Sequence, residues 1–157
     1  MVSIWDLSEM GRTAAGEAFT TFVVEAAGLG HFVTAAGEAL ARHGGQSLAR
    51  WVVLDAVAEK PLTVAQIARV RGMARQPIQR IADTVVEDRL ATYKDNPRHR
   101  RARLLELTPR GRQVLEVISA RQSEWANAHG AQIGAQKLRQ AQQLIAEIAA
   151  LIEMPPT

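Results

Sequence analysis

Apolar residues recur at intervals of three and four along most of this chain, which is the period of amphipathic helices. Phe22 and Leu29 belong to an apolar seam that predicts one long helix over residues 14–42. A second helix is predicted over residues 47–58, and a last seam from 138 to 152 predicts a final amphipathic helix. The chain is therefore expected to be mainly α-helical.

Between these long helices, the pattern predicts two shorter helices joined by a turn. Thr63 and Gln66 have the spacing of a capping box, so a short helix begins there and ends near Gly72. The next helix is expected to begin near Gln76 with Pro77 at its first position, where the missing N–H of proline costs little. A short helix, a glycine-containing turn and a longer helix with polar first residues predict a helix-turn-helix motif.

The apolar period changes after this motif, where a hairpin is predicted. Residues 91–94 and 103–107 are expected to form two short strands, and the loop at 95–101 contains Asp-Asn-Pro, which interrupts regular structure. Thr108 and Pro109 then begin another helix, which is expected to end at about residue 128. A hairpin directly after a helix-turn-helix predicts a winged helix, with the basic loop at the tip of the wing.

Charge is distributed unevenly along the chain, whose formal net charge is +3. The segment from Arg69 to Arg112 contains twelve Arg or Lys and five Asp or Glu, a net charge of +7, and the remainder has a net charge of −4. A basic centre with mildly acidic ends is typical of a nucleic-acid-binding module. A solvated basic surface without a partner is the alternative interpretation.

Composition excludes several other classes of protein. The chain contains no cysteine, which excludes disulfides, thiolate-bound zinc and cysteine-based catalysis or redox sensing. No run approaches the ~18 apolar residues of a membrane span, and the N-terminus lacks a basic region followed by an apolar stretch. The four histidines lack metal-ligand spacing, and no nucleophile elbow or phosphate-binding loop is present. We expect a cytoplasmic protein that is not an enzyme and binds no metal, cofactor or membrane.

The candidate DNA-binding residues lie in the second helix of the motif and in the wing. In a helix-turn-helix, the first turn of the second helix enters the major groove, where arginine pairs with guanine and glutamine with adenine. Arginines at a wing tip reach phosphate or the minor groove. Asp83 is expected to repel phosphate unless it faces away from DNA or pairs with an arginine. The candidates are Thr63, Arg75, Gln76, Pro77, Gln79, Arg80, Arg98, Arg100, Arg101 and Arg103.

The stretch from Leu62 to Gly111 resembles the winged helix of the MarR (multiple-antibiotic-resistance regulator) family. Four motifs in register carry this resemblance: Leu62-Thr63-Val64-Ala65-Gln66-Ile67-Ala68, Arg75-Gln76-Pro77-Ile78-Gln79-Arg80-Ile81-Ala82, Asp95-Asn96-Pro97-Arg98-His99-Arg100-Arg101-Ala102 and Leu107-Thr108-Pro109-Arg110-Gly111. The resemblance implies a transcriptional regulator, usually a repressor, that binds a pseudo-palindromic DNA operator as a homodimer held by its N- and C-terminal helices.

Two positions depart from the pattern of this family. His99 stands where the family's wing often has an acid, so the usual Asp–Arg pair of the wing is expected to be rearranged, with Asp95 as a substitute acid. Pro77 replaces a small polar residue, which removes one amide that could bind phosphate. The operator sequence therefore cannot be inferred from relatives.

The resemblance also divides the chain into parts. Residues 1–157 are expected to form one domain, in which 47–111 are the winged helix and 14–43 and 112–153 are dimerisation helices. A monomer whose terminal helices pack on one another is the alternative. Family members often bind a small aromatic or anionic effector between the two parts, and the candidate residues for such a pocket are His31, Phe32, Arg50 and Trp51. Each of these four is also explained by ordinary packing in a core or interface.

Two other functions compete with sequence-specific regulation. A winged helix can serve as a protein-interaction module, although such a module has no need for arginine at both the helix start and the wing tip. A nonspecific architectural DNA-binding protein is the other alternative, and a small ratio of specific to nonspecific affinity would distinguish it.

Overall fold

The computed structural model describes residues 11, 13–97, 99 and 101–153, and six helices and three short strands lie within them. In chain order these elements are α1 (Ala14–Arg42), α2 (Leu48–Ala56), β1 (Leu62–Thr63), α3 (Val64–Val70), α4 (Arg75–Glu87), β2 (Ala91–Lys94), β3 (Leu104–Leu107), α5 (Pro109–Ile133) and α6 (Ala135–Glu153). The predicted fold class, mainly α-helical with a small β wing, is confirmed.

Side-chain caps determine where several helices begin. The hydroxyls of Thr13, Ser47, Thr63 and Thr108 each accept a hydrogen bond from the backbone N–H three residues later. Each bond satisfies one of the amides that have no partner within the first turn of a helix. The predicted capping box of α3 and the predicted cap of α5 are both present.

Helix α4 begins earlier than its sequence suggested. Ala74 is its extended N-cap residue and forms no side-chain cap, so Arg75 is the first helical residue and Pro77 is the third, not the first. The third position still suits proline, because the amides of the first turn have no partner within the helix. The fixed φ of Pro77 is therefore accommodated two residues further into the helix.

Helix α5 is also longer than predicted, since it continues past residue 128 to Ile133. Gly130 remains helical, and Gly134 ends the helix with a φ of 90°. This positive φ lies in a region that L side chains avoid, so Gly134 and not Gly130 carries the break before α6.

The three strands form one antiparallel sheet in the order β1-β3-β2. β2 and β3 are the predicted hairpin, in which Tyr93 faces Leu105. β1 was not predicted, and it pairs Leu62 with Leu105 and Thr63 with Leu104. This pairing attaches the base of the wing to the residue that caps α3.

The start of α5 is packed closely against the end of the helix-turn-helix. The amide of Thr108 donates to the carbonyl oxygen of Leu90 at 3.0 Å, and the Thr108 hydroxyl accepts from the amide of Gly111 at 3.1 Å. A Cβ atom at Gly111 would lie 1.9 Å from the Leu90 carbonyl oxygen. Glycine is therefore required here because of the close approach of two backbone segments.

The hydrophobic core lies within the winged helix and the first half of α5. Leu54, Ile67, Ile78, Leu105 and Ile118 are fully buried there, and they come from five different elements. The apolar period of these elements thus becomes a single core, as the sequence predicted.

Helices α1 and α6 contribute little to this core. Leu40 and Ala41 are the buried residues of α1, and no side chain described in α6 is buried. The two predicted apolar seams instead line an open groove of about 390 Å³, whose walls are Phe22, Ala26, Leu29, Gly30, Val33, Ile145, Ile148, Ala149 and Ile152.

Within the described residues, α1 is long and apolar enough to cross a membrane by length and composition alone, but core helices and signal sequences pass the same test. The apolar stretch of α1 is not buried within the chain. Its apolar side chains therefore require a partner, or they remain exposed to water.

Candidate nucleic-acid interface

A cleft of about 430 Å³ lies between the start of α3, the first turns of α4 and the base of the wing. It contains six of the ten residues predicted to bind DNA. Its lining residues are Thr63, Val64, Ala65, Arg75, Gln76, Gln79, Tyr93, Arg101, Ala102 and Arg103. The fold thus places the polar start of the second helix and the arginines of the wing on one surface.

The first turns of α4 present their polar side chains to solvent. Arg75, Gln76, Pro77, Gln79 and Arg80 are all exposed, while Ile78 on the same helix is fully buried. Burial of one face holds the helix against the core and leaves the opposite face free for a ligand. Pro77 and Arg80 do not line the cleft; in the sequence, one precedes and the other follows the buried residue Ile78.

Thr63 occupies a different environment from the other candidates. Its side chain is only 8% exposed, and its hydroxyl accepts from the Gln66 amide at 3.3 Å. The Gln66 side chain in turn accepts from the Thr63 amide at 2.8 Å. Thr63 therefore lines the cleft while its hydroxyl caps α3.

Gln79 belongs to a hydrogen-bonded network with Asp83 and Tyr93. Its Nε2 donates to Asp83 Oδ1 and to the Tyr93 hydroxyl oxygen, each at 2.8 Å. The Tyr93 hydroxyl donates to the same Asp83 oxygen at 2.8 Å. Asp83 thus pairs with a tyrosine and a glutamine, and not with an arginine, which was one of the two arrangements that the sequence left open.

The environment of Tyr93 favours its protonated form. Partial burial, followed by the hydrogen bond to Asp83 and the charge of Asp83, raises the pKa of Tyr93 from 10.0 to about 12. The Gln79 hydrogen bond and the charge of Arg103 act in the opposite direction. Tyr93 is therefore a hydrogen-bond donor to Asp83 throughout the neutral pH range.

Arg103, the residue directly before β3, contacts the same tyrosine. Its Nη2 donates to the Tyr93 carbonyl oxygen at 2.9 Å, and its guanidinium carbon lies 5.2 Å from the centre of the Tyr93 ring. The second distance is that of a cation–π contact. Arg103 is thus oriented by the wing before any ligand binds.

The tip of the wing is described only in part. Arg101 is exposed and lines the cleft, whereas Arg98 and Arg100 lie outside the described residues. Asp95 forms no ion pair with the described arginines, and Lys94 pairs with Glu106 across the two strands at 3.2 Å. The expected substitution of Asp95 for the missing acid of the wing is therefore not seen in this part of the chain.

The residues predicted to line an effector pocket are not brought together. His31 and Phe32 lie on the exposed face of α1 with their ring centres 6.0 Å apart, and Arg50 pairs with Asp88 at 2.5 Å. Trp51 is 9% exposed and lines a cavity of about 220 Å³. The other lining residues of that cavity are Val33, Thr34, Ala36, Gly37, Leu40, Leu48, Gln122 and Trp125.

Tyr93 lines the cleft, although the sequence did not single it out. It is the only tyrosine of the chain and follows α4, which was the available signal. Its contacts with Gln79 and Asp83 depend on how β2 packs against α4. Within the described residues, no group of three or more His, Asp or Glu side chains could hold a metal ion.

A family model described as "MarR family" matches residues 39–102. Uncharacterized proteins of Mycobacterium tuberculosis and Mycobacterium bovis are each 43% identical over 99 residues, which are 63% of this chain and 67% of theirs. The match to the family model contains the helix-turn-helix and every residue that lines the cleft except Arg103.

Solved structures share the fold over most of the chain. A MarR family transcription regulator superposes with a TM-score of 0.80 at 22% identity and covers 87% of this chain and 91% of its own. MarR of Staphylococcus aureus, in complex with salicylate and kanamycin, has a TM-score of 0.71 at 18% identity, covering 88% and 91%. The regulator BldR of Sulfolobus solfataricus has a TM-score of 0.72 at 18% identity, covering 87% and 99%.

Proposed function

We propose that this chain is a MarR family winged-helix regulator, a cytoplasmic repressor that binds a pseudo-palindromic operator as a homodimer. The observation that carries the proposal is the cleft between α4 and the wing. Three arginines and two glutamines line it, and no described carboxylate does. Such a surface attracts phosphate and offers side chains that read base edges.

The candidate residues divide into two kinds of contact. Gln76 and Gln79 lie in the first turns of α4 and are the base-reading candidates, together with Arg75. Arg101 and Arg103 lie at the wing and are the candidates for backbone or minor-groove contacts, together with Arg98 and Arg100. Arg80 and the amides at the start of α4, apart from Pro77, complete the proposed phosphate contacts.

A homodimer suits the exposed apolar groove between α1 and α6. Two subunits that cover this groove would place their recognition helices about one turn of DNA apart, ~34 Å, on one face of the duplex. The operator would then be two half-sites of opposite orientation. A monomer would leave both seams in water, at a cost that grows with the apolar area exposed.

A DNA titration tests this function. The protein is titrated into a labelled fragment from upstream of its own gene, at near-physiological salt and with unrelated competitor DNA. Tight binding that resists the competitor is the expected result. The Arg75→Ala variant should bind more weakly, whereas the control Arg139→Ala, an exposed arginine of α6, should bind normally.

The other outcomes would favour the competing functions. Binding that the competitor abolishes would favour a nonspecific architectural protein. Absence of binding even at low salt would favour a protein-interaction module. Equal loss in Arg75→Ala and Arg139→Ala would mean that net charge, and not the cleft, determines affinity.

We further propose that a small aromatic effector binds in the cavity beside Trp51. Trp51 and Trp125 line this cavity together with residues of α1, so a ligand there would contact both the terminal helix and the winged helix. A ligand that prefers one spacing of the recognition helices changes operator affinity through that preference. The related Staphylococcus aureus MarR in complex with salicylate suggests salicylate as the probe.

Salicylate should quench tryptophan fluorescence and release the operator over the same concentration range. Trp51→Phe should weaken both effects, while the control His31→Ala, away from the cavity, should preserve them. Operator release by salicylate that Trp51→Phe leaves unchanged would place the effector elsewhere.

A further inference from the structure

The amide group of Gln79 is held with its nitrogen facing the protein. A carboxylate oxygen only accepts hydrogen bonds, so the Gln79 atom 2.8 Å from Asp83 Oδ1 must be the NH₂ nitrogen and not the carbonyl oxygen. The Tyr93 hydroxyl gives its proton to Asp83, so its oxygen accepts from the same nitrogen. The two hydrogens of Nε2 thus face two acceptors, and the orientation of the amide is determined.

We propose that Asp83 and Tyr93 determine base specificity by holding Gln79 so that only its carbonyl oxygen is offered to DNA. This inference rests on the proposed operator binding. A glutamine with a free amide pairs with adenine through both a donor and an acceptor. Gln79 has its donor occupied within the protein, so it acts as a single acceptor.

A single acceptor selects a base by its exocyclic amino group. In the major groove, adenine presents N6–H₂ and cytosine presents N4–H₂, whereas guanine and thymine present only acceptors near the corresponding edge. The operator base that depends on Gln79 is therefore adenine or cytosine. A guanine or thymine at that position would place two acceptors against each other.

The network also connects base reading to the wing. Asp83 lies on the recognition helix α4, one turn after Gln79, while Tyr93 lies on strand β2 of the wing. Arg103, which directly precedes β3, donates a hydrogen bond to the Tyr93 carbonyl oxygen, and its guanidinium group lies over the Tyr93 ring. A phosphate that attracts Arg103 would act on the same tyrosine that orients Gln79.

The first test is selection of binding sites from a randomised operator. The Gln79→Ala variant should lose its preference at one base pair in each half-site and keep the others. The double variant Asp83→Ala/Tyr93→Phe should change the preference at that same base pair, because the freed amide can turn and either pair with adenine through both N6 and N7 or donate to guanine or thymine. A cytosine preference should therefore fall from about tenfold to near unity, whereas an adenine preference should persist and become sensitive to 7-deazaadenine.

Glu87→Ala is the matched control for the loss of a carboxylate. Glu87 is exposed on the same helix, and its removal changes the net charge by the same amount as removal of Asp83. It should raise affinity for all sequences and leave every base preference unchanged. If Glu87→Ala altered the Gln79-dependent base pair as much as the double variant, charge and not orientation would be responsible, and the inference would be wrong.

The second test uses base analogues at the Gln79-dependent position. If adenine is preferred, 7-deazaadenine should bind normally, since N7 receives no hydrogen bond, and purine without the amino group should bind about tenfold more weakly. If cytosine is preferred, replacement by uracil should cause a similar loss. Gln79→Ala should be insensitive to each replacement.

The failures of the two proposals are distinguishable. If the wild-type protein selects no sequence, the proposed operator binding is wrong and this inference with it. If it selects an operator, a Gln79-dependent base pair that binds equally well after its exocyclic amino group is removed would overturn the inference alone. Sensitivity to 7-deazaadenine would do so too, as would a preference that Gln79→Ala leaves intact.

Discussion

Tyr93 is the only tyrosine in the chain, so the near-ultraviolet absorbance of phenolate follows its ionisation without interference. Burial and Asp83 raise the pKa of Tyr93 to about 12, above the ordinary value of 10.0 that an unfolded chain would show. We expect the folded protein to titrate near 12 and the denatured protein near 10. The contribution of the neutral phenol to folding is complete below pH 10 and is lost as the pH rises towards 12.

Substitutions of Asp83 and Gln79, the two hydrogen-bond partners of the Tyr93 hydroxyl, should shift the pKa of Tyr93 in opposite directions. Asp83→Asn removes a charge that disfavours phenolate, so the pKa of Tyr93 should fall. Gln79→Ala removes a donor to the phenol oxygen, so the pKa should rise further. Equal titration of wild type and both variants would contradict the network that joins the wing to the recognition helix.

Gly111 gives a second prediction for a single residue. A Cβ atom there would overlap the carbonyl oxygen of Leu90, which is backbone and cannot move without moving the start of the wing. Gly111→Ala should lower the free energy of unfolding by about 3 kcal/mol or more. Gly130→Ala, in the helical and open part of α5, is the control and should raise it by ~0.5–1 kcal/mol. Denaturant unfolding of both variants measures the difference, and equal effects would disprove the close contact.

Six of the ten predicted DNA-binding residues line the cleft, but the sequence did not predict the contacts that Gln79 and Arg103 make there. Gln76 and Gln79 were predicted at the start of a recognition helix because helical period and polar first positions are local signals. The contacts of Gln79 with Tyr93 and Asp83 were not predictable, since they depend on how a strand packs against that helix. Thr63 was predicted both as a DNA contact and as the cap of α3, whereas its pairing with Leu104 in the sheet was not predicted.

At the level of elements, we expect the wing to be a separate source of DNA-binding energy. Arg101 is exposed at the edge of the cleft, and neutralising one phosphate releases condensed counterions. Arg101→Ala should weaken binding to all operator sequences alike and lower the slope of log K against log salt by about 1. Titrations at several salt concentrations measure the slope. Arg139→Ala, on α6, should leave it unchanged, and an unaltered slope for Arg101→Ala would exclude a phosphate contact.

Element boundaries show which signals were local. Threonine caps predicted the starts of α3 and α5 because a capping hydroxyl and its amide lie three residues apart. Strand β1 escaped prediction because two residues show no period, and its partner Leu105 is far along the chain. Helix α5 was expected to end at about residue 128, but only the positive φ of Gly134 identifies the real end.

For the whole molecule, the central question is what covers the apolar groove between α1 and α6. Leu29 is 58% exposed and Ile145 is 53% exposed on opposite walls of this groove. Exposed apolar surface of this kind, continuous along two helices, marks an interface in a protein that remains in solution. A second copy of this chain has the same two apolar seams, so it can cover the groove without any other protein or ligand.

Leu29→Asp/Ile145→Asp should therefore convert the dimer to a monomer, because a carboxylate in an apolar interface loses its hydration without a compensating partner. Sedimentation velocity measures the change in mass. Operator affinity should fall by at least about a hundredfold, since the two half-sites are no longer bound by linked modules.

Val70→Asp is the control, because Val70 is 66% exposed on α3 and lies outside the groove. It should remain dimeric. A double variant that also remains dimeric would locate the interface elsewhere and leave the exposure of α1 to be explained by another partner, such as a membrane.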